Sequence, residues 1–275
     1  ATTSLLCCNA TSTVTASIMK RRDFLKTSLA TSAVTAATAA AATKPGPEYY
    51  ELRTWSLKAA KQPLLDAYLS RAFLPALKRL GVGPVGVFTE SQPNGELKVF
   101  VLIVYSAPEQ FATLASRLAG DAEHQQAGAE YLNAKAADPV YQRIESSFHV
   151  AIEGLPKLVR PDAAKPRLFN LRIYESHNER AAKKKLEMFN RGELDIFKRV
   201  GLTPVMFGET LLGSAQPNLT YLLVFPDDDG RKQAWDRFRA DPAWLKLKAI
   251  PEYADKEIVS RITNRLLTPA PYSEL

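Results

Sequence analysis

Cysteine occurs twice in 275 residues, as the adjacent pair Cys7 and Cys8, so everything beyond them lacks a thiol. That excludes a disulfide framework and a cysteine nucleophile from the body of the chain. It fits an oxidising compartment without requiring one. Histidine is nearly as scarce: His124, His149 and His177 are far apart in sequence, whereas a metal site needs several converging ligands. There is no P-loop, no glycine-rich nucleotide fingerprint, no H-E-x-x-H and no nucleophile elbow. Charge of one sign is lacking too. The formal net charge is +7, with acids and bases mixed throughout, which favours solubility and points away from nucleic acid.

What is present is repetition. Tyr50-Glu51-Leu52-Arg53-Thr54-Trp55 recurs as Phe169-Asn170-Leu171-Arg172-Ile173-Tyr174, and Leu80-Gly81-Val82-Gly83-Pro84-Val85 recurs as Val200-Gly201-Leu202-Thr203-Pro204-Val205. The apolar run Val99–Tyr105 lines up with Leu219–Phe225, and Gly120–His124 with Ala240–Trp244. Four matches in one order, 119 or 120 residues apart, mean that one supersecondary unit was built twice.

Ahead of the repeats, Lys20-Arg21-Arg22-Asp23-Phe24-Leu25-Lys26 is a basic region with paired arginines and an apolar pair, followed by an Ala/Thr-rich stretch to Ala42. This is the layout of an export signal, and Arg21, Arg22, Phe24, Leu25 and Lys26 point to the twin-arginine (Tat) route. The stretch is too short and threonine-rich for a membrane span, which needs about 20 strongly apolar residues. Residues 19–43 are therefore expected to be a signal peptide beginning at Met19, and residues 1–18 an upstream artefact. The mature protein is expected in the periplasm or outside the cell, with no transmembrane span. Loss of Lys20, Arg21, Arg22, Asp23 and Lys26 lowers the formal charge from +7 to about +4.

Each repeat reads as βαββαβ, a ferredoxin-like order. In the first, strands are expected over 49–55, 84–90, 97–105 and 141–152, with helices from Gln62 to Leu80, from Pro108, and over 127–135. In the second, strands are expected over 167–174, 204–211, 219–225 and 257–266, with helices over 179–200 and 230–240. The domain boundaries follow: 49–153, a proline- and charge-rich linker over 154–166, and 167–272. A four-stranded sheet with helices on one face leaves its other face bare. The α+β architecture expected here is therefore two ferredoxin-like units packed sheet to sheet, an intramolecular version of a dimeric α/β-barrel.

Tyr-Glu-Leu-Arg at 50–53, the run over 80–88, Glu187-Met188-Phe189-Asn190, Val205-Met206-Phe207-Gly208-Glu209, Pro217-Asn218-Leu219-Thr220-Tyr221 and Asp241-Pro242-Ala243-Trp244 together resemble NIPSNAP proteins. The resemblance covers nearly all of residues 49–272 and is nearest to exported bacterial members with two such domains. It implies the barrel fold but no reaction. The first half departs from it at His124, where the second half has Trp244. A non-catalytic module of the cell envelope, binding a small molecule or a protein, is the expectation, with a homodimer open. No cofactor is expected. The alternative is an enzyme of the barrel superfamily, either a cofactor-independent monooxygenase or a haem protein, since some relatives in that superfamily hold haem through a helix histidine, here His124.

Polar residues on strands are the candidate site. Arg53 and Arg172 match in the first strands, on the face of Trp55 and Tyr174, and Glu90 and Glu209 end the second strands. Pointing between the sheets, they would need partners, because a buried unpaired charge is very costly. Tyr174, Asn218, Tyr221 and Asn264 are the expected neighbours in a polar pocket, and inter-domain ion pairing of Arg with Glu is the competing architectural explanation. The run Arg180–Lys185 is read as the solvated face of an amphipathic helix.

Overall fold

In β1 (Tyr49–Leu57), Tyr50 and Leu52 join one apolar cluster while Trp55 and Leu57 join another, as the two-residue period of a strand requires. That division runs through the whole computed structural model, which describes residues 46–92 and 95–275. The expected upstream segment and export signal lie outside the described residues. The described residues form one compact unit.

The first half continues with α1 (Gln62–Tyr68), α2 (Leu74–Arg79), β2 (Val85–Glu90), β3 (Leu97–Tyr105), α3 (Pro108–Ala119), α4 (Ala122–Ala127), α5 (Ala129–Leu132) and β4 (Arg143–Ala151). The second half comprises β5 (Leu168–Glu175), α6 (Glu179–Met188), α7 (Leu194–Val200), β6 (Thr203–Leu212), β7 (Asn218–Phe225), α8 (Asp228–Ala240), α9 (Pro242–Lys248), α10 (Asp255–Ile258) and β8 (Arg261–Pro269). Where the sequence reads one long helix per half, the chain inserts a π-helical turn, at Leu69–Phe73 and again at Phe189–Glu193. The last strand also differs from expectation. Residues 255–258 form a helical turn, and β8 runs on to Pro269.

Helix ends repeat as well. Asp121 accepts a hydrogen bond from the His124 N–H and is gripped by Arg79, while Asp241 accepts from the Ala243 and Trp244 N–H groups and is gripped by Arg199. Each aspartate satisfies N–H groups that the first turn of a helix would otherwise leave unpaired. Gly201, at φ +86, closes α7 in the left-handed conformation that suits glycine.

The eight described strands form a closed barrel in the order β4-β1-β3-β2-β8-β5-β7-β6, with β6 returning to β4. This corrects the expectation of two sheets pressed face to face. The bare faces are covered by curling, because edge strands pair across the halves, β2 with β8 and β4 with β6. Closure removes all four edges, and so removes unpaired backbone groups as well as bare apolar area. Tyr50, Leu52, Phe88, Phe100, Phe169, Leu171, Met206 and Leu222 fill the interior. The helices lie outside, each set sealing a second core against the outward face of its own half.

Candidate functional site

The inward residues change character along the barrel axis. At one end they are the aromatic and aliphatic side chains just named. Toward the other they become Thr54, Lys98, Glu145, Ser147, Glu175, Asn218, Thr263 and Arg265, surrounding a cavity of about 290 Å³. Leu52, Phe100, Leu171 and Thr220 form part of the lining. The cavity is concave and lined mostly by polar residues, with an apolar floor, so it departs from the largely apolar lining usual for drug-like ligands and suits a small polar one.

Cross-strand register places equivalent residues on opposite walls. At one junction of the halves, His149 of β4 stands opposite Tyr50 of β1 and Thr210 of β6. At the other, Leu267 of β8 stands opposite Phe169 of β5 and Glu90 of β2. The first junction is neutral and hydrogen-bonded. The second carries a hydrogen-bonded ion pair, Arg265 with Glu90, the guanidinium lying 5.8 Å from the Phe100 ring.

The neutral junction has a definite direction. Asn218 Nδ2 donates to the Ser214 and Ala215 carbonyls, which orients its Oδ1 to accept from Thr210 Oγ1 at 2.6 Å and Thr220 Oγ1 at 3.1 Å. Thr210 has one proton and spends it on Asn218, so its oxygen accepts from His149 Nδ1 at 2.9 Å. The imidazole is thereby the Nδ1–H tautomer, and its Nε2 accepts from Ser147 Oγ at 2.9 Å. Burial pushes the His149 pKa down to about 3, so the ring is neutral at ordinary pH. Gly208 permits this packing: a Cβ there would come within 2.7 Å of the His149 Cβ. Ser147, its proton given to the ring, lines the cavity with only acceptor capacity left.

The sequence-predicted residues separate into two groups. Glu90 and Asn218 face the interior as described. Arg53, Arg172, Tyr174 and Tyr221 face outward, beneath the helices, because Tyr50, Leu52, Phe169 and Leu171 take the inward places on their strands. Arg53 pairs with Glu51 at 2.8 Å and not with Glu90. Arg172 donates to Asn264 Oδ1 and Tyr174 Oη, both at 3.1 Å, and lies over the Trp235 ring at 4.6 Å. Tyr221 donates to Tyr174, and burial pushes its own phenol well up. Asn264 lies on the outward face of β8, and Glu209 also faces outward, paired with Lys183 at 2.6 Å. The equivalence of Glu90 with Glu209 is therefore corrected by one residue: Thr210 occupies the place of Glu90, and a slip of one flips a strand residue to the other face.

Two further expectations change. Lys185 is not on a solvated face. It is buried, and its Nζ donates to the buried Glu193 at 2.8 Å, across the π-helical turn. His124 is buried, with Nε2 3.1 Å from Tyr68 Oη and Nδ1 3.1 Å from the Leu118 carbonyl oxygen. Trp244, its counterpart, packs on Phe238 at 4.3 Å. Sequence reasoning set His149 aside as a lone histidine and missed Ser147. Their signal was alternation with Glu145 in β4, a strand whose inward face is polar where that of β3 is largely apolar. Among the described residues, no group of three or more His, Cys, Asp or Glu could hold a metal ion. No helix among them is long and apolar enough to cross a membrane.

Residues 169–274 match the family model described as NIPSNAP. The fold resembles that of a candidate monooxygenase from Fusobacterium nucleatum, with a TM-score of 0.56 and 9% identity over 82% of this chain and 94% of the other. It also resembles one from Lactobacillus acidophilus, with a TM-score of 0.53 and 8% identity over 81% and 94%. An uncharacterised NIPSNAP-like domain protein from Burkholderia xenovorans, 20% identical, aligns with 39% of this chain and 88% of its own at a TM-score of 0.35. A comparison with curated proteins gives no match.

Proposed function

We propose that this protein is a two-domain NIPSNAP-family binding protein that takes a small polar molecule into the open, polar end of its barrel without transforming it. The observation that carries this is the directed chain Ser147–His149–Thr210–Asn218 at the cavity wall. Fixed by the Asn218 contacts, it offers the Ser147 oxygen as an acceptor for a hydroxyl or amine of the ligand. Arg265 and Lys98 lie on the wall as well. A base whose pKa is near 3 has little driving force to take a proton at neutral pH, which favours binding over proton abstraction. The paired arginines at Arg21 and Arg22 support export through the Tat route to the periplasm or cell exterior.

The test is calorimetric titration of the purified chain against a panel of small hydroxylated and amine-bearing compounds. A hit should weaken about tenfold in Ser147→Ala, the scale of one lost hydrogen bond in a desolvated site. A hit indifferent to Ser147→Ala and to Asn218→Ala refutes the cavity as its site. A reporter fused after residue 43 should leave the cytoplasm, and should stay there when Arg21 and Arg22 are both changed to Lys.

The second reading is an enzyme of the dimeric α/β-barrel group, a cofactor-independent monooxygenase or a haem protein. It is favoured by the likeness of fold to the two candidate monooxygenases. A haem iron at His124 would have to displace Tyr68 or the Leu118 carbonyl from the ring. A Soret band in the purified protein, or oxygen uptake with a bound compound, would replace the binding reading with this one.

A further inference from the structure

The segment between the halves borders a second cavity, where it runs beside β6 and β7. Val159 donates its N–H to the Val205 carbonyl at 2.9 Å, laying the linker along the start of β6. Between them and the end of β7 lies a groove of about 490 Å³, sharing no residue with the barrel cavity. Its lining combines apolar residues, Val159, Pro204, Phe225 and Pro226, with the cations Arg160, Lys165 and Arg167. The acid among its lining residues, Asp162, is engaged with Lys165 at 3.6 Å and with the Ala164 N–H at 3.0 Å. Arg167 Nη1 is buried and has no hydrogen-bond acceptor among the described residues. An unmet buried donor on a charged group is expensive, more so than one on a neutral group.

The corresponding edge of the other half carries a carboxylate, there held by a backbone N–H and not by a guanidinium. At an offset of 120, Val85 corresponds to Val205 and Pro84 to Pro204. The segment after β8 lies along β2 as the segment after β4 lies along β6. Its Glu274 donates N–H to the Val85 carbonyl at 3.0 Å, and returns a carboxylate oxygen to the Val85 N–H at 2.7 Å, 4.0 Å from Arg160. In the second half Val159 stands in the place of Glu274. One copy of this edge carries a carboxylate of its own; the other has Val159 in that place, beside Lys165, which Asp162 engages, and Arg167, whose Nη1 has no acceptor among the described residues.

We propose that the linker groove binds a small organic carboxylate with an apolar body, its carboxylate on Arg167 and its body over Val159, Pro204 and Pro226. Charge-assisted bonds to a guanidinium are the strong ones for carboxylates, and the apolar residues supply the area that acetate could not use.

Calorimetry on the full chain with octanoate, 1-octanol and acetate tests this. Octanoate should bind at least tenfold tighter than either of the others. Arg167→Gln should remove the preference for octanoate over octanol, Val159→Trp should fill the groove and abolish binding of both, and Ser147→Ala should leave octanoate binding unchanged. No detectable octanoate binding, equal binding of octanoate and octanol, or octanoate binding that survives Val159→Trp overturns the proposal. Should Arg167→Gln fail to fold by circular dichroism, Val159→Trp decides alone, since Val159 is an exposed residue at 47%. Loss of octanoate binding on Ser147→Ala would place the ligand in the barrel cavity and refute the groove.

Discussion

Beneath the helices of each half lies one strand arginine, and the halves neutralise it differently. In the first half Arg53 donates to Glu51, two residues away on the same strand, and Glu51 also accepts from Ser146 at 2.5 Å and Tyr105 at 2.7 Å. In the second half the place of Glu51 is taken by Asn170, and Arg172 donates to Asn264 and the Tyr174 phenol, with no carboxylate partner among the described residues. The buried carboxylate has moved to the helical layer as Glu193, accompanied by a second cation, Lys185. Burial pushes the Glu193 carboxyl up, opposed chiefly by Lys185 and in part by Arg172. The positions that match Lys185 and Glu193 at an offset of 120 are Leu65 and Phe73, both fully buried. Two copies of one fold thus preserve which places are buried, and leave free which of them carry charge.

The comparison breaks most easily at Glu193. Glu193→Gln strands Lys185 without a counter-ion, and the urea midpoint should report a loss of about 3–5 kcal/mol. Importing the first half's residues, as Lys185→Leu with Glu193→Phe, should recover most of that loss, because replacing both members of a buried pair by apolar side chains is often neutral or stabilising. If the double variant is no better than Glu193→Gln, the two helical layers are not interchangeable.

The strand arginines should differ in the same way. Arg53→Met leaves Glu51 buried against two hydroxyls and should cost about 3–5 kcal/mol, while Arg172→Met, with no carboxylate partner to orphan, should cost about 1–3 kcal/mol. Equal losses on chemical denaturation would show that Glu193 serves Arg172 as Glu51 serves Arg53.

The neutral junction carries a pH signature of its own. His149 takes up its proton near pH 6.5 when unfolded and near 3 when folded. Below about pH 6.5 the unfolded state binds the extra proton, so stability falls as pH falls, at up to about 1.4 kcal/mol per unit. Between pH 7 and 5 the stability of His149→Gln should therefore fall less steeply than that of the parent chain, by thermal or urea unfolding. Parallel slopes would mean that the imidazole is not buried neutral.

The smallest effect belongs to Glu209. Paired with a largely exposed Lys183, it should lose less than about 1 kcal/mol on change to Gln. A larger loss would restore it to a buried role like that of Glu90.

Much of the scaffold was legible from periodicity, and much of the site was not. The strand cores and the helical stripes stood out because apolar alternation and helix-end residues act locally, as the twin Asp121 and Asp241 caps show. The eight candidate residues were correctly seen as polar groups on or beside strands, but which face each took was decided by register. Glu209 and Thr210 are neighbours with opposite fates. His149 was set aside because a lone histidine carries no signal until Ser147, Thr210 and Asn218, from three strands of both halves, are brought to it.

The sequence by itself determined that one unit of strands and amphipathic helices is present twice, since hydrophobic period and capping are properties of neighbouring residues. Tertiary structure alone decided that the two sheets close edge to edge into a barrel, and with that closure which polar groups meet. Pairing of β4 with β6 and of β2 with β8 joins residues about 60 and 180 positions apart. Only the hydrogen-bonding demand of exposed strand edges, met across the whole ring at once, selects those partners.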